Sequence, residues 1–155
     1  MAQVSDLLNT KGPRVLTIPP TASVLEATEL MNHHRIGALV VTLAGRAFDR
    51  EPSCDRVIGM FTERDVLTRV VGMQRDPVAT LVEEVMTGDV AFCRPETDVE
   101  EVASIMQKRR IRHLPVCDEN GDLRGLVSIG DINAWNARGL DAAIQYLNDY
   151  IHGRA

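Results

Sequence analysis

Apolar residues recur at helical spacing in two separate stretches of the chain. The first stretch contains Val24, Ala27, Leu30 and Met31, and the second contains Val99, Val102, Ile105 and Met106. This spacing places the apolar side chains on one face of a helix. Each stretch is therefore predicted to be an amphipathic helix with one buried face.

Polar residues mark where both predicted helices begin and end. Ser23-x-x-Glu26 and Asp98-x-x-Glu101 have the spacing of capping boxes, in which two side chains bind the first free amides of a helix. Positive residues follow at positions 33–35 and 108–110, where they complement the carbonyl end of the helix dipole. Both helices are predicted to end there.

Runs of β-branched and aliphatic residues predict strands on either side of these helices. Short strands, each stopped by a proline, are predicted at 15–18 and 90–93. Longer strands are predicted after the helices, each with a partner strand, at 36–42 with 57–61 and at 111–117 with 123–127. The second pair is joined by a tight turn at 118–121, and the first pair by a long loop at 43–56.

These elements form an internal duplication. Residues 20–41 align with residues 95–116 at an offset of 75, and residues 59–65 align with residues 125–131 at an offset of 66. The first copy is therefore nine residues longer between its two matched blocks, within the long loop. The order β-α-β-β-α occurs twice, which predicts an α+β fold with a pseudo-two-fold axis and ligand clefts between equivalent elements.

The duplication divides the chain into four predicted parts: a first repeat at 4–69, a connector at 70–80, a second repeat at 81–135 and a C-terminal tail at 136–155. Each repeat opens with a short amphipathic lead-in segment, at 4–8 and at 82–86. In the tail, apolar residues recur at helical spacing, at Leu140, Ala143, Ile144, Leu147 and Ile151. They predict an amphipathic helix that packs either within the chain or on a second chain. The segment 139–155 is expected to support oligomerisation.

Composition and charge narrow the classes of function. The chain of 155 residues is 45% hydrophobic, enough for one domain with a core, and its net charge of −5 disfavours a nucleic-acid binder. No leader and no apolar run of membrane-spanning length is found, so a cytoplasmic protein without membrane contact is expected. The three cysteines are interpreted as free thiols. No bound metal is expected, because the side chains of the adjacent His33 and His34 point about 100° apart on a helix and cannot share one ion.

The sharpest local motif is Gly-apolar-apolar-Ser/Thr-x-x-Asp. It occurs as Gly59, Thr62 and Asp65 and again as Gly125, Ser128 and Asp131. Each copy is a helix-capping signature. Each copy also lies where a strand ends and a helix begins, so that the first-turn amides and hydroxyl can hold a phosphate while the carboxylate accepts hydrogen bonds from ribose. The sequence leaves both interpretations open.

With the strand sequences RIGALVV and RIRHLPV and the lead-in VEEVMT, the paired motifs resemble tandem cystathionine-β-synthase (CBS) domains, the CBS pair or Bateman module. The resemblance covers residues 4–135. It implies clefts for adenosine-containing ligands such as AMP, ADP, ATP, NAD or S-adenosylmethionine, and association into a disc-shaped homodimer. It assigns phosphate and ribose contacts to Thr62 and Asp65 in one cleft and to Ser128 and Asp131 in the other. It assigns the wall of the base to Thr17, Ile18, Phe92 and Cys93.

The two clefts are expected to be unequal. The second copy has Arg112 and His113, which can supply positive charge to a polyphosphate, where the first copy has Gly37 and Ala38. The first cleft would then need Arg64 or a residue from the other copy. Arg112 can instead be a solvated strand residue, and Phe92 alone is more often a core residue than a stacking platform.

The sequence contains no phosphate-binding Walker loop, nucleophile elbow or metal cluster, so a catalytic role is not expected. The leading hypothesis is a stand-alone adenosine-ligand sensor that regulates an unidentified target protein. The alternative is a structural dimerisation module in which the two motifs only cap helices. The loop at 43–56, with Asp49, Arg50, Glu51 and Pro52, is either a partner surface or a solvated insertion.

Overall fold

The computed structural model describes residues 1–12, 15–43 and 54–153. The helices are α1 (Val4–Lys11), α2 (Val24–His34), α3 (Glu63–Asp65), α4 (Val82–Val85), α5 (Val99–Arg109) and α6 (Ile129–Ile151). The strands are β1 (Thr17–Ile18), β2 (Ala38–Thr42), β3 (Val57–Thr62), β4 (His113–Cys117) and β5 (Leu123–Ser128). A 3-10 turn at Cys54–Arg56 precedes β3, and a π-helical stretch at Val66–Val71 continues α3. Most of the loop at 43–56, including residues 49–52, lies outside the described residues.

The strands form two small sheets, one in each repeat. In the first repeat β1 pairs parallel with β2 and β2 pairs antiparallel with β3, whereas in the second repeat β4 pairs antiparallel with β5. The strand predicted at 90–93 is wrong, because only Cys93 pairs there, through a single bridge to Val116. Val40 donates its N–H to the Leu16 carbonyl at 3.2 Å, but the equivalent residue in the second repeat, Pro115, has no N–H to donate.

The two lead-in helices pack on the opposite repeats. Val4, Leu7 and Leu8 of α1 belong to the apolar core that contains Val102 and Leu114 of the second repeat. Val82 and Val85 of α4 belong to the core that contains Leu39 and Phe61 of the first repeat. This exchange buries both lead-in helices and interlocks the repeats into one folding unit.

The capping box predicted at Ser23 and Glu26 is confirmed, with reciprocal hydrogen bonds of 3.1 Å. The one predicted at Asp98 and Glu101 is wrong, since the Asp98 side chain makes no capping hydrogen bond. In both repeats the first amide of the helix is instead bound by the backbone of a neighbouring segment: Val99 donates its N–H to the Ala2 carbonyl at 3.0 Å, and Val24 donates to the Thr80 carbonyl at 2.9 Å.

Both long helices of the repeats end where the positive residues predict. The residues at their C-terminal caps, Arg35 and Arg110, are in the left-handed conformation with φ of 53° and 54°. This conformation turns the chain sharply from α2 into β2 and from α5 into β4. It also gives the two arginines equivalent places beside the clefts described below.

The interpretation of all three cysteines as free thiols is wrong. Cys54 and Cys117 form a disulfide with a Cα–Cα distance of 6.2 Å, and it joins residues 63 positions apart. The folded chain brings these residues together, so their spacing in the sequence gave no sign of the bond. Cys93 is a free, buried thiol, and burial raises its pKa to about 12.

The helix that begins after Ser128 and the predicted tail helix are one continuous element, α6. Its N-terminal part is held by Ile132, which is buried, and by Trp135, which packs against the core of the second repeat. Arg154 and Ala155 lie outside the described residues. Among the described residues, no helix combines the length and the hydrophobicity that crossing a bilayer requires.

Two equivalent glycines allow the lead-in segments to pack closely, and they give a first prediction. A Cβ on Gly59 would lie 2.9 Å from the Thr87 carbonyl oxygen, whereas a Cβ on Gly125 would lie 2.5 Å from the end of the Leu8 side chain. The backbone cannot move as easily as a leucine methyl group. Gly59→Ala is therefore expected to lower the free energy of unfolding by about 1–3 kcal/mol, as overpacking does. Gly125→Ala should cost less.

Urea denaturation of both glycine variants beside the wild type measures the difference. An equal or larger loss for Gly125→Ala would show that the Thr87 carbonyl is not the limiting contact.

Candidate functional site

In the part of the chain that the structure describes, two cavities between the repeats are each lined by residues of both repeats. Cleft one has a volume of about 170 Å³ and is lined by Thr62, Arg64 and Asp65 from the first repeat and by Arg110, Arg112 and His113 from the second. Cleft two has a volume of about 420 Å³ and is lined by Ser128 and Asp131 from the second repeat, by Arg35, Gly37 and Ala38 from the first, and by Lys11 of α1. Each cleft thus combines the strand-to-helix turn of one repeat with the helix-to-strand turn of the other.

In cleft two, Asp131 caps α6 and is also held by the lead-in helix of the first repeat. Its Oδ2 accepts hydrogen bonds from the Ser128 N–H at 2.8 Å and from Lys11 Nζ at 2.7 Å. Burial alone would raise the pKa of the Asp131 carboxyl, but the hydrogen bonds from Lys11 and Ser128 outweigh burial and lower it. The carboxylate is therefore ionised at neutral pH. Within the described part of the chain its Oδ1 has no hydrogen-bond partner, and the side chain is 23% exposed.

In cleft one, Asp65 occupies the equivalent place but is more fully engaged. Its Oδ2 accepts from the N–H and the hydroxyl of Thr62 at 3.0 and 3.2 Å, and its Oδ1 accepts from the Thr87 hydroxyl at 3.1 Å. Arg69 Nε lies 3.8 Å from Oδ1, and the Asp65 side chain is only 5% exposed. The hydrogen bond from the neighbouring lead-in segment thus comes from a neutral hydroxyl, Thr87, in cleft one and from a charged ammonium, Lys11, in cleft two.

His113 at the start of β4 lines both clefts. Burial lowers its pKa to about 4, the positive charges of Lys11 and Arg112 act in the same direction, and the negative charge of Asp131 opposes them. Burial therefore disfavours the positive charge that His113 would need to bind a polyphosphate, and its role at a phosphate stays a prediction. At neutral pH it is a neutral imidazole between the clefts.

The shifted pKa of His113 predicts how stability depends on pH. Below its ordinary pKa of about 6.5, the unfolded chain takes up a proton that the folded chain does not bind until pH is near 4. Acidification through this window should therefore lower the free energy of unfolding, by up to roughly 3 kcal/mol at its lower end. Urea denaturation at pH 7 and pH 5 should show a loss for the wild type that is largely absent in His113→Gln.

His33→Gln, at an exposed site on α2, is the matched control and should behave like the wild type. An NMR titration in which the His113 ring titrates near pH 6.5 in the folded protein would contradict this account.

The structure brings most of the predicted site residues to the clefts, but each cleft combines the motif of one repeat with strand residues of the other repeat. Arg112 lines cleft one with Arg64, so the first cleft obtains positive charge from the other copy. Gly37 borders both clefts, and Ala38 borders cleft two. Thr17, Ile18, Phe92 and Cys93 lie outside the lining of either cleft.

The apolar walls lie slightly upstream of the positions that the resemblance implies. Leu16 lines cleft two, and Val90 and Ala91 line cleft one together with Met60 and Ile111. Ile18 and Cys93, two positions further along, are each 5% exposed and belong to the cores. The base of an adenosine ligand would therefore contact Leu16 or Ala91 rather than Ile18 or Cys93.

Seven polar lining residues were not predicted from the sequence: Lys11, His34, Arg35, Glu63, Thr87, Asp89 and Arg110. Arg35 and Arg110 are identical in the alignment of the repeats and could have been found there. Lys11 and Thr87 follow the lead-in segments, and nothing in the sequence showed that these segments cross to the opposite repeat. Over residues 1–12, 15–43 and 54–153, no group of three or more His, Cys, Asp or Glu side chains is placed to hold a metal ion.

Comparison with known proteins points to one family. The sequence model of the CBS domain matches residues 4–72 and 82–137. The CBS domain-containing protein YhcV of Bacillus subtilis is 33% identical over 132 residues, which cover 85% of this chain and 84% of that protein. The mitochondrial CBS domain-containing protein CBSX3 of Arabidopsis thaliana is 32% identical over 156 residues, covering 97% and 72%. The crystal structure of the CBS-domain containing protein ATU1752 from Agrobacterium tumefaciens has a TM-score of 0.74 at 36% identity, covering 86% of this chain and 98% of that one.

Proposed function

The chain belongs to the CBS domain family, and on that premise we propose that it is a regulatory module that binds an adenosine-containing ligand between its repeats. One observation carries the proposal: an ionised Asp131 stands beside Lys11 and Arg35 at a cavity of about 420 Å³. Cavities that bind small ligands usually have volumes of about 300–1,000 Å³. Cleft two is therefore proposed as the main site.

In this proposal each group in cleft two has a separate task. Oδ1 of Asp131 accepts hydrogen bonds from the ribose hydroxyls, because Oδ2 is already held by Ser128 and Lys11. The Lys11 ammonium and the Arg35 guanidinium attract the phosphates. Leu16 and Ile36 provide apolar surface for the base.

The charges of the two clefts differ, and this difference favours a ligand class. Apart from histidines, the charged residues of cleft two are Lys11, Arg35 and Asp131, with a net positive charge. Cleft one has three arginines, and Glu63, Asp65 and Asp89 balance them. Cleft two should therefore prefer anionic ligands such as AMP, ADP, ATP or NAD to S-adenosylmethionine, whose sulfonium is positive. Cleft one, which is smaller, is the secondary site, with Asp65 facing ribose.

Calorimetric titration of nucleotide-free protein with AMP, ATP, NAD and S-adenosylmethionine tests the proposal. The anionic ligands should bind more tightly than S-adenosylmethionine, and Lys11→Met should weaken ATP binding more than adenosine binding. Lys108→Met on α5, at an exposed position outside both clefts, is the matched control. Tighter binding of S-adenosylmethionine than of the anionic ligands would contradict the preference inferred from the positive charge of cleft two. If folded protein releases or absorbs no heat with any of the four ligands, the proposal itself is wrong.

The proposed role is regulatory rather than catalytic. Lys11 lies at the end of α1, so a ligand that competes for this ammonium acts directly on a helix that packs against the second repeat. A ligand shifts a conformational equilibrium only by its difference in affinity for the two states. The proposed output is a changed arrangement of a homodimer and of its contact with a target protein.

One observation favours the competing function, a ligand-independent dimerisation module. Both motif aspartates complete capping boxes, so their presence is already explained by helix capping. If capping is their whole role, removal of Asp131 lowers stability and leaves nucleotide binding unchanged.

A further inference from the structure

The C-terminal half of α6 extends away from the rest of the molecule. Ile132 is 2% exposed, but every residue from 136 to 148 is exposed. At 1.5 Å per residue, the 15 residues from 137 to 151 span about 22 Å. This segment is called the α6 extension below.

The apolar residues of the α6 extension follow a heptad pattern. Ala137, Leu140, Ile144, Leu147 and Ile151 are separated by three, four, three and four residues. This alternation corresponds to positions a, d, a, d and a of a coiled coil. The four larger side chains are 54–72% exposed, so the stripe has no partner within the described part of the chain.

From this pattern we propose that the α6 extension pairs in parallel with the same segment of a second copy of this chain, as a short two-stranded coiled coil. Isoleucine occupies position a at Ile144 and Ile151, and leucine occupies position d at Leu140 and Leu147. β-branched residues at a with leucine at d favour parallel dimers over higher oligomers. The parallel orientation brings the two CBS modules to the same end of the pair, where they can also contact each other.

The charges of the α6 extension are compatible with a second copy. In a parallel pair the flanking g and e positions bring Asn136 opposite Asp141 and Ala143 opposite Asn148, so no like charges meet. A helix that lies on an anionic membrane has a polar face rich in Lys and Arg. From 136 to 151 the chain has one basic residue, Arg138, and two acidic ones, Asp141 and Asp149, which disfavours a lipid partner.

The exposed area supports an interface of modest size. Full burial of one aliphatic side chain removes on the order of 100 Å² from water, and a tyrosine removes about 150–250 Å². The stripe with Tyr150 beside it therefore offers roughly 400 Å² per chain, as much as the largest apolar patches on typical monomers. Two such stripes together bury roughly 800 Å², somewhat less than the about 1,000 Å² of a small specific interface. Contacts between the modules would supply the remaining area.

Cysteine cross-linking in the full chain tests the proposal, and it does not depend on nucleotide binding. Leu147→Cys places two identical d positions face to face, at a separation that a disulfide can span. Mild oxidation should convert most of this variant into a covalent dimer that a thiol reductant reverses. Gln145→Cys, at position b on the outer face, is the matched control and should stay close to the wild-type level.

A charge inside the stripe should abolish the cross-link. Adding Ile144→Lys to the Leu147→Cys chain should slow cross-linking at least tenfold, whereas adding Gln145→Lys should not, and far-UV circular dichroism verifies that α6 is retained. Equal cross-linking of Leu147→Cys and Gln145→Cys would overturn the proposal. So would cross-links that form only between a Leu140→Cys chain and an Ile151→Cys chain, because they indicate antiparallel pairing.

Discussion

Asp131→Ala is expected to weaken adenosine binding by about 10-fold to 100-fold. The reason is the loss of a charge-assisted hydrogen bond to the ribose, which is worth about 1.5–3 kcal/mol. Adenosine is the most informative ligand for this test because it has no phosphate. The change also releases Lys11 from its 2.7 Å contact with the carboxylate, so binding of pyrophosphate should be unchanged or stronger.

Glu26→Ala on α2 is the matched control for Asp131→Ala. Glu26 completes a capping box by accepting the Ser23 N–H at 3.1 Å, but it lies outside both clefts. Both variants should lose about 0.5–2 kcal/mol of stability as cap mutants, and only Asp131→Ala should lose affinity. Calorimetric titration with adenosine at 25 °C measures the affinity of both variants, and thermal melts measure their stability. Unchanged adenosine affinity in Asp131→Ala would favour the dimerisation module.

Asp65→Ala is expected to have the larger effect on stability, a loss of about 2–5 kcal/mol in the free energy of unfolding. Its carboxylate is almost completely buried and accepts three hydrogen bonds from Thr62 and Thr87. Removal leaves the Thr62 N–H and the Thr87 hydroxyl, both half-buried, without their acceptor, and an unsatisfied group costs about 1–3 kcal/mol when it is buried. Contact between the two repeats is weakened as well, because Thr87 follows the lead-in helix that crosses to the first repeat.

Glu63→Ala is the control for Asp65→Ala in the same helical turn. The Glu63 side chain is exposed, so its removal should cost well under 1 kcal/mol. Urea denaturation of both variants gives the two free energies. A loss for Asp65→Ala no larger than that for Glu63→Ala would show that the hydrogen bonds around Asp65 do not stabilise the fold.

The sequence predicted the repeated elements well because each depends on local signals. The apolar stripes of α2 and α5, the turn at 118–121 and the capping boxes at Ser23, Thr62 and Ser128 are set by residues close in the chain. One wrong local prediction has a non-local cause, because Pro115 removes the hydrogen bond that would extend a strand at 90–93. The other is the cap predicted at Asp98, whose side chain makes no capping hydrogen bond.

The clefts were predicted only in part because they join residues that are distant in sequence. Thr62 and Asp65 were identified from their motif, but their cleft partners Arg110 and Arg112 come from the other repeat. Lys11 is 120 residues from Asp131, and its role depends on the crossing of α1 to the second repeat. The same reason explains the disulfide between Cys54 and Cys117. Such contacts require the folded structure.

Amide NMR during an AMP titration shows whether an adenosine nucleotide binds in cleft two. We expect shifts at Lys11, Arg35, Ser128 and Asp131 that saturate together with a single dissociation constant, and no saturating shifts in Asp131→Ala at the same AMP concentrations. Shifts confined to residues outside both clefts, or no shifts at millimolar AMP in folded protein, would contradict binding in cleft two.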